Sequence, residues 1–433
     1  MAIDWKAALA LSASLLTACG GGKDLTKAQV RLVNASAGYS QLDLRVDDQL
    51  RQGSVGYGAA EGYVEVDPGK AASTVGSVGS ATPLVSLTPS LSEKKHYTLL
   101  AYGAAGALQV QQLDENTGAP DTGRALLRVV NAAADAGKLD VYLSGTGDDL
   151  RNVVPVQTGV AYSAVGGFTT VNSGTWRLRA TAAGSKDDVR LDVPAMTLPS
   201  KQVATLVLTP SAGGVMVNAL VLVQQGSIAR QDTALARVRL AAAVADSGVV
   251  GARVGTQSLV STPGSGDVSA APSLDDYVLV PVGVSAVAVT VNGAPLPLPA
   301  KTLEAGRDYT FMVHGLLSAP QASWIDDDNR LPSDNGRAKL RLINALADTA
   351  APLAMTLDGR PVAGAVGAGS ASGYTLVSPV AAGGTNGRLS ITASGVATPI
   401  YTSPSQTLTA AGSYSVLLTG RQAAPTGIVR QDR

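Results

Sequence analysis

Few residues in this chain can do acid–base, nucleophilic or metal chemistry. Among its 433 residues there are two histidines, His96 and His314, and one cysteine, Cys19. This scarcity excludes most metal sites, disulfide frameworks and histidine-based catalytic triads. We therefore predict a protein that is not an enzyme, with no catalytic residue, no metal ligand and no cofactor.

Two short motifs share a pattern with known active sites but lack the elements that would position them. Ser92-Glu93-Lys94-Lys95 matches Ser-x-x-Lys, whose chemistry needs a helix to hold the lysine beside the serine. Here the segment leads into a strand, so we expect a solvated turn. Gly364, Gly367 and Gly369 form a glycine-rich stretch, but no helix follows to supply the amide N-terminus that binds phosphate. We expect a loop there.

Acidic residues cluster at two junctions, Asp114-Glu115-Asn116 and Asp326-Asp327-Asp328-Asn329. Carboxylates between domains can bind calcium, which takes six to eight oxygen ligands. However, the region between these two, Ile228-Ala229-Arg230-Gln231-Asp232, has one acid and one arginine. A calcium site is therefore not a general feature of the junctions, although the sequence leaves calcium open at the two acidic ones.

The cysteine has a distinctive position near the start of the chain. An apolar run over residues 7–16 is too short to span a bilayer and is typical of a secretory signal peptide. Leu16-Thr17-Ala18-Cys19-Gly20 follows and resembles the bacterial lipobox, in which the cysteine is lipidated and becomes the new N-terminus; an incidental or buried cysteine is the alternative. We predict a signal peptide over residues 1–18, lipidation at Cys19 and a flexible tether over residues 19–27.

Lipid chains on Cys19 would anchor the protein to a membrane. The residue after Cys19 is Gly20 and not an aspartate. This resembles the pattern of lipoproteins that are sorted to the outer membrane. We therefore predict a cell-envelope location, anchored in the outer membrane and facing the periplasm or the cell surface.

The remaining sequence contains four copies of one unit, referred to here as repeats 1 to 4. Each copy has the same three landmarks in the same order. An arginine-containing strand opens the copy: Val30-Arg31-Leu32-Val33-Asn34-Ala35, Leu127-Arg128-Val129-Val130-Asn131-Ala132, Val238-Arg239-Leu240-Ala241-Ala242-Ala243 and Leu340-Arg341-Leu342-Ile343-Asn344-Ala345. An aromatic residue near a turn follows: Gly62-Tyr63, Gly167-Phe168, Asp276-Tyr277 and Gly373-Tyr374. A further strand comes last: Tyr97-Thr98-Leu99-Leu100, Ala204-Thr205-Leu206-Val207, Tyr309-Thr310-Phe311-Met312 and Tyr414-Ser415-Val416-Leu417.

Each repeat has about 100 residues, which is enough for its own hydrophobic core. Short alternating runs separated by Gly, Pro, Asn and Asp predict antiparallel strands. We predict an all-β fold of four tandem immunoglobulin-like antiparallel β-sandwich domains after a lipoprotein signal peptide. The predicted boundaries are 28–121 for repeat 1, 122–232 for repeat 2, 233–335 for repeat 3 and 336–433 for repeat 4.

Strand alternation assigns the faces of each opening strand, since successive side chains point to opposite sides. Val30 and Leu32 should face the core, as should the equivalent pairs in the other repeats, while Arg31 and Val33 point away. We therefore expect all four arginines in outward or rim positions. There they could pair with an acid on a neighbouring strand or cover apolar surface with their stems.

The repeats also align the less common polar residues. His314 aligns with Tyr102, Thr209 and Thr419 at the end of a strand, which indicates a rim position, and His96 has a similar place just before a strand. Asp135, Asp246 and Asp348 each lie four residues after the Asn position, and we expect them to cap turns through their own backbone. The alternating character of the junctions suggests that repeats 1–2 and 3–4 arose as a duplicated pair.

The landmarks resemble those of a family of secreted bacterial sandwich domains that is known only as a domain of unknown function. The matching stretches are Leu127–Ala132, Leu139–Leu143, Gly167-Phe168, Ala305–Thr310 and Ala411–Tyr414, and the similarity extends over residues 28–433. The resemblance implies an immunoglobulin-like sandwich on the cell envelope. It implies no catalytic residue, because the family has none assigned.

Composition limits the function further. Lys plus Arg and Asp plus Glu are 33 each, and aromatic residues are 4%, which argues against a nucleic-acid partner. We predict a lipid-anchored envelope protein, a non-enzymatic rod of four sandwiches for structure, display or protein interaction, with an envelope protein, the cell wall or a glycan as partner. The alternative is a cell-surface adhesin or carbohydrate-binding module, for which Trp176 and Trp324 are non-equivalent and lie in different repeats.

Overall fold

The computed structural model describes residues 26–261 and 267–433. The predicted signal peptide and Cys19 lie outside these residues, so the lipidation site stays a prediction. Nearly all of the regular structure in the described ranges is β-strand. In these ranges, no helical segment is long and apolar enough to cross a membrane.

Repeats 1 and 2 contribute the first nineteen strands. Repeat 1 forms β1 (Ala28–Asn34), β2 (Gln41–Val46), β3 (Gln49–Gly56), β4 (Val64–Val66), β5 (Gly69–Lys70), β6 (Ser73–Ser77), β7 (Val85–Leu87), β8 (Ser90–Leu91), β9 (His96–Tyr102) and β10 (Gln109–Asp114). Repeat 2 forms β11 (Arg124–Asn131), β12 (Leu139–Ser144), β13 (Gln157–Val160), β14 (Thr169–Asn172), β15 (Gly174–Ala182), β16 (Val189–Leu198), β17 (Val203–Pro210), β18 (Val217–Val223) and β19 (Ile228–Gln231), with short 3-10 helices at Ala134–Ala136 and Leu150–Asn152.

Repeats 3 and 4 contribute the rest. Repeat 3 forms β20 (Leu235–Val244), β21 (Val249–Val254), β22 (Gln257–Ser258), β23 (Val268–Ala270), β24 (Ser273–Leu274), β25 (Val278–Pro281), β26 (Gly283–Ser285), β27 (Val287–Val291), β28 (Ala294–Pro295), β29 (Lys301–Leu303), β30 (Asp308–Leu316) and β31 (Ala319–Asp327). Repeat 4 forms β32 (Ala338–Leu346), β33 (Leu353–Leu357), β34 (Arg360–Val366), β35 (Ser370–Ala371), β36 (Thr375–Val377), β37 (Arg388–Ala393), β38 (Tyr401–Ser405), β39 (Ser413–Arg421) and β40 (Ala424–Gln431).

Each repeat folds as two facing sheets. The sheets that contain the opening strands have the orders β10-β9-β1-β4, β14-β11-β17-β18-β19, β24-β20-β30-β31 and β35-β32-β39-β40, with β25 and β36 also paired to β20 and β32. The facing sheets have the orders β3-β2-β6-β7, β13-β12-β15-β16, β22-β21-β27-β28 and β34-β33-β37-β38. This confirms the predicted all-β fold of tandem sandwiches, while the exact repeat boundaries stay predictions.

Strand alternation places the cores as predicted. Val30 and Leu32 are buried in the core of repeat 1, and their equivalents in the other three repeats are buried in three separate cores. Each sandwich thus has the interior that its length predicts. The free energy of each core comes from apolar surface removed from water, at about 25 cal/mol per Å².

The opening strand of each repeat pairs with a later strand in parallel, which departs from an otherwise antiparallel pattern. β1 lies parallel to β9, with Gln29 opposite His96, and β10 returns so that Asp114 lies opposite Tyr97. Repeats 3 and 4 show the same arrangement. Because the first strand starts where the last one ends, the chain enters and leaves repeats 1, 3 and 4 at the same end. Repeat 2 adds β19, which runs back along β18, so the chain leaves that repeat at the opposite end.

This geometry brings neighbouring repeats side by side. Val33, Ala35 and Leu100 of repeat 1 form one buried cluster with Val207 and Leu220 of repeat 2. A second cluster joins repeats 3 and 4 through equivalent residues, among them Ala241, Met312, Ile343 and Leu417. The sequence predicts a rod of four sandwiches but not this side-by-side contact, in which the outward face of each opening strand is covered by another repeat.

The two pairs also touch each other at the junction between repeats 2 and 3. The backbone NH of Gly213 donates to the carbonyl of Gly306 at 3.1 Å, and the NH of Asn329 donates to the carbonyl of Gly213 at 3.0 Å. A Cβ at Gly213 would lie 2.6 Å from the Gly306 oxygen, so a side chain there would push the two pairs apart.

We predict that Leu100→Ala destabilises the protein by about 2–5 kcal/mol, because it leaves a cavity in the cluster shared by repeats 1 and 2. The free energy of unfolding from denaturant titration measures the change. Leu50→Ala is the matched control, since Leu50 is 52% exposed and its loss should change stability by less than about 0.5 kcal/mol. Equal effects of the two substitutions would contradict the side-by-side packing.

Candidate functional site: the arginine clusters between paired repeats

The three sequence landmarks of each repeat meet at one point in space. The arginine of the opening strand donates through Nε to the hydroxyl of the Thr or Ser in the third landmark, and its guanidinium lies over the aromatic ring of the second. The hydrogen bonds are Arg31–Thr98 at 2.9 Å, Arg128–Thr205 at 2.8 Å, Arg239–Thr310 at 2.8 Å and Arg341–Ser415 at 2.9 Å. The ring partners are Tyr63 at 4.7 Å, Phe168 at 4.6 Å, Tyr277 at 4.7 Å and Tyr374 at 4.7 Å.

Strand pairing explains this convergence. The parallel register places Arg31 directly opposite Thr98, and the same register holds in every repeat. Tyr63 directly precedes β4, which pairs with β1 on its other side. The arginine is therefore held between a hydroxyl on one neighbouring strand and an aromatic ring from the other, where cation–π attraction adds to the hydrogen bond.

At the interface of repeats 3 and 4, the arginine of each repeat pairs with an aspartate of the other repeat. Arg341 of repeat 4 donates to Asp327 of repeat 3 at 2.5 Å, and Arg239 of repeat 3 forms an ion pair with Asp432 of repeat 4. Each aspartate is held by its own repeat. Thr310 and Tyr277 donate to Asp327 at 2.6 and 2.7 Å, and Ser415 and Tyr374 donate to Asp432 at 2.6 and 3.3 Å. The contact is thus reciprocal, like the interface of a twofold dimer.

Repeats 1 and 2 use a less symmetric version. Arg31 donates to both carboxylate oxygens of Glu115 at 2.9 and 3.0 Å and reaches across to the carbonyls of Gly226 and Val223 in repeat 2. In the other direction, Arg128 donates to the carbonyl of Asp114 at 3.0 Å. The strand register places Gln224 of repeat 2 at the position that Glu115, Asp327 and Asp432 have in the other repeats. The side-chain amide of Gln224 forms hydrogen bonds with the backbone NH and carbonyl of Thr117.

Burial and charge act in opposite directions on these acids. Burial alone would raise the pKa of Asp327, but Arg341 and Arg239 hold that pKa below its usual value. For Glu115 burial is likewise overcome by Arg31, Thr98 and Tyr63, so its pKa is also lowered. Burial raises the pKa of Tyr277 and keeps its phenol protonated, so that it can donate to Asp327. All of these groups are held in fixed charge states at neutral pH.

The position of the arginines corrects the sequence-based expectation. They point away from their own cores as predicted, but they are buried and not at a rim, with exposures of 2% for Arg31, 9% for Arg128, 0% for Arg239 and 2% for Arg341. Arg31, Arg239 and Arg341 pair with an acid, as predicted, whereas Arg128 donates to a backbone carbonyl. Glu115, Asp327 and Asp432 were not expected as the partners, although an acid at the end of the last strand or directly after it, in three repeats, was a usable signal.

His314 is also buried and not at a rim, with 4% of its surface exposed. Its Nε2 lies 3.1 Å from the hydroxyl of Ser323, and Gly369 of repeat 4 covers the ring so closely that a Cβ there would lie 2.9 Å from Nε2. Burial lowers the pKa of His314, so the ring is neutral at pH 7. Its strand-end position therefore belongs to the interface between repeats 3 and 4.

The three aspartates expected to cap turns instead accept bonds from distant residues. Asp135 accepts from the backbone NH of Leu331 at 2.9 Å, which links repeat 2 to the chain between repeats 3 and 4. Asp246 pairs with Arg421 at 2.8 Å, and Asp348 accepts from the NH of Gln422 at 2.7 Å. The turn-capping expectation is wrong because these turns face another segment.

The other predicted positions are largely as expected. Ser92-Glu93-Lys94-Lys95 forms a turn between β8 and β9, and the ring of His96 packs edge-on against Tyr63 at 5.0 Å. Gly364 lies inside β34, which corrects its assignment to a loop, whereas Gly367 and Gly369 lie in the following turn region. Across residues 26–261 and 267–433, no group of three or more His, Cys, Asp or Glu side chains is arranged to hold a metal ion.

We predict that Asp327→Ala costs about 3–5 kcal/mol of stability, because it leaves Arg341 and Arg239 buried without their shared carboxylate. The neighbouring Asp326→Ala is the matched control. Its side chain is 59% exposed and lies 3.7 Å from Lys301, an exposed pair worth less than about 1 kcal/mol. Denaturant unfolding of both variants measures the difference, and a loss below 1 kcal/mol for Asp327→Ala would refute the structural role of the cluster.

His314 gives a pH dependence of defined sign. Its pKa is lower in the folded protein than in the unfolded chain, where it is about 6.5. Protonation therefore favours unfolding, so stability should be constant above about pH 7 and fall as the pH drops below 6.5. His314→Gln should remove this loss between pH 7.5 and 5, as measured by thermal unfolding. The same slope in both proteins would show that another group titrates.

Several solved structures show a low similarity to this chain. A proposed cell adhesion protein from Bacteroides ovatus ATCC 8483 is 12% identical, with 48% of this chain and 98% of that chain covered and a TM-score of 0.22. A second, from Bacteroides uniformis ATCC 8492, is 13% identical, with 48% and 99% covered and a TM-score of 0.20. The TIE protein of Bacillus anthracis is 9% identical, with 90% and 67% covered and a TM-score of 0.14.

No curated protein matches the chain at a significant level. A family model matches residues 28–142 and again residues 236–352, which together make up more than half of the sequence. The family is described as a domain of unknown function, DUF4397. The chain belongs to this DUF4397 family.

Proposed function

We propose that this protein is a lipid-anchored, non-enzymatic component of the bacterial cell envelope that presents the surface of a rigid four-repeat scaffold to a partner. The partner would be another envelope protein, the cell wall or a glycan. The observation that carries the proposal is the position of the four landmark arginines: each is buried and contacts the neighbouring repeat, so that together they hold the repeats in pairs. Residues that a catalytic site would need are instead part of the scaffold.

The proposed anchor comes from the sequence before the scaffold. Cys19 follows Leu16-Thr17-Ala18, and β1 begins at Ala28, so the tether has only eight residues between the lipidated cysteine and the first strand. An extended tether of that length spans at most about 29 Å, at 3.6 Å per residue. Repeat 1 would thus be held close to the membrane, proposed to be the outer membrane, on its periplasmic or outer side.

A carbohydrate-binding or adhesin module remains the second candidate. Such a module would use exposed aromatic rings, but Trp176 and Trp324 are partly buried and pack against the cores of repeats 2 and 3. A glycan array and a purified cell-wall pull-down with residues 20–433 separate the two. Specific binding to a polymer supports the adhesin, and its absence supports a protein partner.

The anchor is tested by metabolic labelling with a radioactive fatty acid in a bacterial host. The unaltered protein should be labelled and recovered with membranes, whereas Cys19→Ala should lose the label because no other thiol is available. Ser14→Ala, within the predicted signal peptide, is the matched control and should keep the label. Labelling that survives Cys19→Ala would contradict the anchor.

A further inference from the structure

Repeats 1 and 2 face each other with equivalent surfaces, but only repeat 2 has an extra strand at its edge. There β19 pairs antiparallel with β18, with Ile228 opposite Leu222 and Arg230 opposite Leu220. Repeat 1 ends with β10, which corresponds to β18. Among the described residues, β10 is hydrogen-bonded to a strand on one side only, β9. One edge of this pair of repeats is therefore filled, and the equivalent edge is open.

The strand register defines which residues of the two edges correspond. Leu113 lies opposite Thr98 in repeat 1, and Leu222 lies opposite Thr205 in repeat 2. Because Thr98 and Thr205 are the same landmark residue, Leu113 corresponds to Leu222. Both leucines belong to the buried cluster that joins the two repeats. A strand added to β10 would thus lie beside this cluster, as β19 does.

The side chains on one face of β19 contact repeat 1. Ile228 packs against the shared buried cluster, and the guanidinium carbon of Arg230 lies 5.5 Å from the ring centroid of Tyr57. A Cβ at Gly58 would lie 3.9 Å from Cδ of Arg230, so the arginine stem lies directly against this segment. The strand is therefore held by the backbone of β18, by an apolar side chain and by a cation on a tyrosine ring.

Repeat 2 has the same tyrosine at the corresponding position. The correspondence follows from the NH that donates to the carbonyl of the landmark asparagine at 2.8 Å in each repeat, Gly58 to Asn34 and Ser163 to Asn131. Tyr57 directly precedes the first of these donors, and Tyr162 directly precedes the second. Tyr162 is thus the counterpart, in repeat 2, of the tyrosine that contacts β19.

Tyr162 lies beside the open edge of β10. Its ring packs edge-on against Tyr102 at 5.9 Å, and Tyr102 lies opposite Gln109 of β10. Val165, three residues further along the chain, is 36% exposed although its side chain is apolar. Burial, Tyr102 and Asp135 raise the pKa of Tyr162, and the negative charge of Asp135 also favours a cation at this ring. The open edge therefore offers the same three kinds of contact that hold β19.

The corresponding edges of repeats 3 and 4 lack these features. Pro320 is the second residue of β31 and Pro425 is the second residue of β40, and a proline without an NH protects an edge strand from pairing. The sequence of β10 has no proline and no Lys or Arg. In repeat 4, the NH of Gly369 donates to the carbonyl of Asn344, so that Ala368 stands where repeats 1 and 2 have the tyrosine.

We propose that the edge of β10 binds an extended segment of a partner protein, which pairs antiparallel with β10. The segment carries an apolar residue opposite Leu113 and, two residues later, a Lys or Arg opposite Gln111 and over the ring of Tyr162. It thus has the pattern of Ile228 and Arg230 in β19 and adds a strand to the sheet. This inference rests on the proposed scaffold role and narrows its partner to a protein strand.

The probe is an amidated, fluorescein-labelled peptide with the sequence of residues 226–233, titrated into residues 20–433 by fluorescence anisotropy. Saturable binding is expected. Val165→Arg should weaken binding at least tenfold, because it places a positive charge against the apolar residue and the arginine of the peptide. Val154→Arg is the matched control, since Val154 is 80% exposed and lies between β12 and β13 of the facing sheet. It should bind the peptide normally, and circular dichroism should show that both variants are folded.

Disulfide cross-linking locates the peptide, which can also displace β19 because it has the same sequence. The β18–β19 register places Gln231 opposite Ala219, so peptide residue 232 should lie opposite Gln109 of β10. Directly opposite residues have the spacing that a disulfide needs. A peptide with Cys in place of Asp232 should therefore cross-link to Gln109→Cys. Gln49→Cys, at the exposed start of β3 in the facing sheet, is the matched control and should react at least tenfold more slowly.

Three results would each overturn the proposal: no saturable binding of the peptide, unchanged binding to Val165→Arg, or equal cross-linking rates of the two cysteine variants. These failures are distinguishable from a failure of the proposed function. The fatty-acid labelling and the cell-wall pull-down test the anchor and the scaffold role without the β10 edge.

Discussion

A buried guanidinium must have its charge and its hydrogen bonds satisfied, and in this protein one repeat cannot do that alone. Each opening strand carries an arginine on the face that points away from its own core. The repeat supplies a hydroxyl and an aromatic ring, but the other donors of the arginine reach acceptors in the neighbouring repeat. Removing the neighbour would expose an apolar face and leave guanidinium N–H groups without their acceptors. In repeats 3 and 4 it would also remove the closest carboxylate of each arginine, which is costly in a low-dielectric setting. The arginine therefore makes the pair of repeats, and not the single sandwich, the natural unit of the structure.

Strand direction makes this pairing possible. In repeats 1 and 3 the opening strand is parallel to the penultimate one, so the chain leaves the sandwich at the end where it entered, and a short connection places the next sandwich alongside. Both stretches matched by the family model begin with an odd-numbered repeat and continue into the opening strands of the next repeat. This agrees with a unit larger than one sandwich and with the duplication of a two-repeat pair. The buried arginine–aspartate contacts between repeats 3 and 4 are reciprocal. Between repeats 1 and 2 they are not, because Gln224 stands where the other repeats have an acid and the arginines reach backbone carbonyls of the neighbour.

The sequence predicts much of the fold, for physical reasons that also set its limits. Alternation along a strand determines which side chains share a face, so the core positions of Val30 and Leu32 could be derived. It does not determine whether the opposite face meets water or another domain, and for that reason Arg31 and His314 were expected at a rim. The apolar Val33, on the same face as Arg31, was a signal that this face is covered. Partners such as Asp432 could not be found, because long-range contacts between repeats depend on how whole sandwiches dock.

The central claim is that the four repeats behave as two cooperative pairs held by contacts of buried arginines. Single-molecule force spectroscopy, with the chain pulled from its two ends, tests it most directly because it counts unfolding units by the length each one releases. The account predicts two main unfolding steps, each releasing the length of two repeats. Four independent steps, each releasing the length of one repeat, would contradict it.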